Sequence, residues 1–203
     1  MDRVIAYIDG FNLYFGLRDK GWRRYLWLDV QKLSTNLLKP GQQLVFTKYF
    51  TARVSKPDDK RRRQQTYLEA LGTLPDLDIF YGKYQLNPRY CKKCGYQDDI
   101  PNEKMTDVNI AVELLADAFQ NGYDTALLIS ADSDLTGPVK RVRLLFADER
   151  VVVAFPPKRS SLELKKAASA CFTIARAKFK RSQFPEEVVK PDGYTLVRPA
   201  RWT

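Results

Sequence analysis

The string Val4-Ile5-Ala6-Tyr7-Ile8-Asp9-Gly10-Phe11-Asn12 decides how this chain is read. An unbroken apolar run that stops at a carboxylate and a glycine describes a parallel strand buried on both faces. A second run of the same kind is Leu127-Leu128-Ile129-Ser130-Ala131-Asp132-Ser133-Asp134. Open α/β sheets bind ligands outside the carboxyl ends of their strands, so two such strands side by side bring Asp9, Asp132 and Asp134 to one spot. Two carboxylates about 5 Å apart repel by roughly 3 kcal/mol at an effective dielectric near 20. A cluster of them calls for protons or for a hard cation of the Mg²⁺ or Mn²⁺ kind.

Outward from these strings, strand-like and helix-like segments alternate, the pattern of an α/β domain with a parallel sheet. Helices are expected over Asn12–Arg18, Asp29–Leu38, Asp58–Leu74, from a cap at Thr106 onward, Leu135–Phe146 and Ser160–Ala170. Strands are expected at Leu44–Phe50, Asp78–Tyr81, Thr125–Ser130, Val151–Phe155 and, as an edge, Cys171–Ile174. Residues 82–103, with Pro88, Gly95 and Pro101, break the rhythm and read as a hairpin or loop insertion. One domain over residues 1–182 and a proline-rich C-terminal arm over 183–203 follow from this pattern.

Composition narrows the chemistry. Histidine is absent from all 203 residues, which removes the commonest general base and every Ser-His, Cys-His or His-metal site. The charge of +10 points to an anionic partner, with a basic surface that only aids solubility as the plain alternative. Three cysteines do not form a secreted disulfide framework, and no run reaches membrane-span length, so a cytoplasmic location is expected.

Each acidic residue has an ordinary explanation: Asp134 as a helix cap, Asp107 in a first helical turn, Asp9-Gly10 as a turn. Capping does not account for Asp132 and Asp134 together beside a third carboxylate after another strand. Other acidic folds fit poorly. A haloacid-dehalogenase phosphatase wants a second Asp two residues after the first, where this chain has Phe11. A receiver domain wants an acidic pair near Asp9, and a toprim site wants Glu in its place.

Three strings in order, Tyr7-Ile8-Asp9-Gly10-Phe11-Asn12, Lys104-Met105-Thr106-Asp107-Val108-Asn109 and Ser130-Ala131-Asp132-Ser133-Asp134-Leu135, resemble the NYN domain family of the PIN-like nuclease superfamily. The resemblance spans Met1 to Ile174, with Ala131 where the family commonly has Gly. It implies a Rossmann-like, three-layer α/β/α sandwich with a mainly parallel sheet and a Mg²⁺- or Mn²⁺-dependent ribonuclease centre acting on single-stranded or unpaired RNA. By motif, Asp9, Asp107, Asp132 and Asp134 would hold the metal and Asn12 would orient Asp9 or the attacking water. Thr106 and Ser130 would support them. A binding-only RNA regulator of the same fold, or a DNA nuclease, are the alternatives.

Cations and rings outside these strings are candidate RNA contacts: Trp22, Arg23 and Arg24 after the first motif, Lys104 before Asp107, and Lys158 and Arg159 after the fifth strand. Cys91 and Cys94 supply half of a zinc site. With no histidine and no second cysteine pair, Zn²⁺ would need Asp98 and Asp99 or a second subunit of a homo-oligomer, and a metal-free turn is expected instead.

Overall fold

In the computed structural model, which describes residues 1–90 and 93–202, the first apolar run is β1, Asp2–Asp9. It leads straight into α1, Gly10–Asp19. There follow α2 (Val30–Leu37), β2 (Gln42–Thr51), α3 (Asp58–Leu71) and β3 (Leu77–Tyr81). The expected insertion is an antiparallel hairpin of β4 (Lys83–Tyr90) and β5 (Gln97–Lys104). Next come α4 (Thr106–Phe119), β6 (Thr125–Ile129), α5 (Thr136–Leu145), β7 (Arg150–Phe155), α6 (Leu162–Ala167), β8 (Ala170–Thr173) and α7 (Arg176–Arg181). A small antiparallel pair, β9 (Glu187–Val189) and β10 (Thr195–Val197), ends the chain.

The main sheet has six strands in the order β3-β2-β1-β6-β7-β8, and every neighbouring pair is parallel. β1 and β6 are therefore central and adjacent, as the two apolar runs require. Alternation along β1 divides the core. Val4, Ala6 and Ile8 face a cluster with Leu13 and Leu17 of α1, Leu33 of α2 and Leu71 of α3. Ile5 and Tyr7 face Ile110 and Leu114 of α4, Val139 and Val142 of α5 and Leu164 of α6. The result is the expected three-layer sandwich. No helix among the described residues is long and apolar enough to cross a membrane.

Two polar devices lock the layers. Lys48 of β2 is buried and pairs with both Glu113 and Asp117 of α4, at 2.7 Å each. The Tyr7 hydroxyl donates to the same Asp117. At the other end of the sheet, Arg3 binds Asp124 through its backbone and its guanidinium, joining the starts of β1 and β6.

Some local expectations shift. The helix cap expected at Thr106 lies one residue earlier, at Met105, which is left-handed (φ 80°) and offers no side-chain acceptor; Thr106 is already helical. The Ser160–Ala170 helix shortens to α6, capped by Ser161, because Ala170 is already in β8. Beyond Gln183 the chain folds back, and Phe184, Val188, Leu196 and Trp202 join the first core cluster.

Candidate active site

Three carboxylates meet at the carboxyl edge of the sheet. Asp107 sits in the first turn of α4, and Asp132 and Asp134 lie on the turn after β6. Each offers an oxygen, and these oxygens all lie within 4.8 Å of one another. Asp107 and Asp132 are half-buried and Asp134 is exposed, so the cluster opens to solvent on one side. The turn is built by the aspartates themselves, since Asp132 caps a short 3₁₀ segment by accepting from the Asp134 N–H at 3.0 Å.

Asp9 stands behind this group rather than within the 4.8 Å grouping. It is 3% exposed and caps α1. Its Oδ1 accepts from the Asn12 N–H at 2.9 Å, and its Oδ2 accepts from Asn12 Nδ2 at 2.9 Å and from the Ser130 hydroxyl at 2.8 Å. Burial pushes the Asp9 carboxyl above the ordinary aspartate value, and the charge of Asp132 pushes the same way, against the hydrogen bonds that favour the anion. Gly10 permits this crowded corner: a Cβ there would lie 2.6 Å from the Tyr49 hydroxyl and 2.8 Å from the Phe50 carbonyl oxygen.

The cations scatter. Lys104 is exposed at the end of β5, just before α4. Lys158 is exposed, whereas Arg159 is spent on Asp19 (2.9 Å) and lies over the Phe15 ring. Trp22, Arg23 and Arg24 follow the far end of α1, about 15 Å of helix away from Asp9. Trp22 packs edge-on against Tyr25 and Phe179. Arg24 lines a separate surface cavity of about 560 Å³ with Arg176, Lys180 and Arg198. Among the zinc candidates, Cys91 lies outside the described residues and Cys94 is exposed.

A second cavity, of about 500 Å³, opens beside Gly10 between α1, α3 and the exit of β2. Sequence reading missed it. Its walls come from segments far apart in the chain, and the one local hint was the basic run Lys60-Arg61-Arg62-Arg63, of which Lys60 and Arg63 line it.

The chain is 28% identical over 191 residues to the 6-hydroxy-3-succinoylpyridine 3-monooxygenase of Pseudomonas putida, an alignment covering 76% of this chain and 59% of that protein. It thus spans about three fifths of the length of that relative. A crystal structure of a Vibrio parahaemolyticus protein of unknown function shares the fold, with a TM-score of 0.57 and 18% identity over 86% of this chain and 94% of that one. The NYN domain profile matches residues 3–175, which include all the acidic positions above, and this chain belongs to the NYN domain family of the PIN-like nuclease superfamily.

Proposed function

We propose that this protein is a divalent-metal-dependent ribonuclease that hydrolyses phosphodiester bonds in single-stranded or unpaired RNA. The observation that carries this reading is the grouping of Asp107, Asp132 and Asp134 oxygens within 4.8 Å at the carboxyl edge of a parallel sheet. An all-oxygen, multiply anionic donor set suits Mg²⁺ or Mn²⁺, and these three side chains would hold it. Bound there, the ion would supply Lewis acidity toward a phosphoryl oxygen and a water of lowered pKa.

The chain's own groups prepare the place. Asn12 fixes Asp9, and Ser130 links Asp9 to the turn that carries Asp132 and Asp134. We assign Asp9, Asn12 and Ser130 as positioning residues, with the buried Thr106 supporting Asp107. Lys104 and Lys158 are the exposed cations we assign to the phosphate chain, and the excess of positive charge draws the polyanion in.

The test is incubation of the purified protein with matched labelled RNA and DNA, with Mg²⁺, with Mn²⁺ and with chelator, beside Asp132→Asn. Metal-dependent RNA cleavage lost in the variant supports the reading. Cleavage of DNA alone makes the protein a DNA nuclease, and salt-sensitive RNA binding without cleavage makes it a binding-only regulator. A second reading, a small hydroxylated heteroaromatic substrate, is favoured by the aromatic cavity beside Gly10 together with the likeness to the pyridine monooxygenase.

A further inference from the structure

We propose that the cavity beside Gly10 seats a nucleobase of the bound RNA, next to the phosphate held at the carboxylates; this rests on the ribonuclease reading and names the part of the substrate that gives it grip. The cavity starts at the residue after Asp9 and runs between α1 and α3. Its volume of about 500 Å³ falls in the range of small-ligand sites, roughly 300–1,000 Å³. Aromatic rings from four parts of the chain line it: Tyr14 and Phe15 of α1, Tyr49 of β2, Tyr67 of α3 and the C-terminal Trp202. Rings are the surface on which unpaired bases stack.

Polar groups on the wall fit the same occupant. Tyr67 spends its hydroxyl on the Leu28 carbonyl at 2.8 Å. Tyr49 is 6% exposed and lines the cavity, and its hydroxyl lies beside Gly10, where the cavity starts. A phenol is protonated at neutral pH, so this hydroxyl on the cavity wall can donate. A base carbonyl or ring nitrogen satisfies such a donor, whereas an aliphatic ligand leaves it unpaired.

Charge selects the polymer. Arg18, Lys56, Lys60 and Arg63 line the cavity, and among the described residues no acidic side chain does. Arg18 and Arg63 are held by Asp19 and Asp59, but Lys56 and Lys60 form no ion pair among the described residues and are exposed where a backbone would leave the cavity.

The experiment is calorimetric titration of the full chain, in chelator so that nothing is cut, with uridine and adenosine monophosphates, ribose 5-phosphate and 6-hydroxypyridine-type compounds. The nucleotides should bind at least about tenfold more tightly than ribose 5-phosphate, the scale of one base stack. Tyr49→Phe should weaken them about tenfold through its one hydrogen bond, and the plugging variant Val54→Trp should abolish binding with its melting temperature retained. Equal affinity for ribose 5-phosphate, or unchanged nucleotide affinity in both variants, overturns the proposal. Tighter binding of the pyridine than of either nucleotide also overturns it and assigns the cavity to a small-ring substrate. Cleavage assays with metal are read separately, so a protein that cuts RNA without base binding loses only this inference. One that binds nucleotides here but never cuts loses the nuclease reading and keeps the cavity.

Discussion

The hydroxyl of Ser130 donates to Oδ2 of Asp9 at 2.8 Å while accepting the backbone N–H of Asp132 at 3.1 Å. One fully buried side chain thus ties the end of β1 to the turn after β6, and the carboxylate cluster is held in place by a group that is not itself acidic.

Ser130→Ala should cost about 1–3 kcal/mol of stability in urea unfolding, because a buried carboxylate and a turn N–H each lose a partner. Ser130→Thr, which keeps the hydroxyl, should recover part of this. An alanine variant as stable as wild type and with unchanged cleavage would show the contact to be incidental.

Divalent cation should raise the melting temperature of the wild type by binding only the folded state, with about 2.7 kcal/mol gained at a hundredfold excess over Kd. Asp132→Asn should respond much less and should cut RNA at least about 10²-fold more slowly, the scale of losing one transition-state stabiliser. Without metal it should be no less stable, since it relieves repulsion. Identical Mn²⁺ responses would remove the proposed site.

Lys48→Met should be destabilising by roughly 3 kcal/mol, because it leaves the Glu113 and Asp117 charges facing the core without their cation. As α4 carries Asp107, the same variant should weaken the Mn²⁺ response in thermal unfolding. An unchanged Mn²⁺ response in a destabilised Lys48→Met would uncouple the ion triad from the cluster.

Arg3 holds the Asp124 carboxyl down to about 2 through side-chain and backbone hydrogen bonds. A folded value below the unfolded one, about 3.9, means stability that is present above pH 4 and lost as pH falls toward 2. Both side chains are partly exposed, so the contribution is screened and modest. Asp124→Asn should lower the melting temperature at pH 7 and converge with wild type near pH 2. A constant difference across that range would contradict the linkage.

What could be read from the sequence follows the range of the interactions. β1 and β6 stand out because strands covered on both faces are continuously apolar, and the edge they share sets Asp132 and Asp134 beyond its end. The aromatic cavity was invisible, since Tyr14, Tyr49, Tyr67 and Trp202 meet only through tertiary packing. Trp22 to Arg24 lie close to Asp9 in sequence, but α1 stands between them and sets them about 15 Å of helix from it. The prolines near the C-terminus hid β9, β10 and the buried Trp202, whose place depends on Trp27 and Tyr67.

The strand order has a consequence in time as well as in space. β1 can pair with β2 early in synthesis, but its other edge waits for β6, and Asp9 meets Ser130 across 121 positions of chain. Contacts of such separation form late, after the costly loop has closed. The acidic centre therefore stays dispersed until Ser130 to Asp134 have been added, while the growing chain is still tethered beside the message that encodes it.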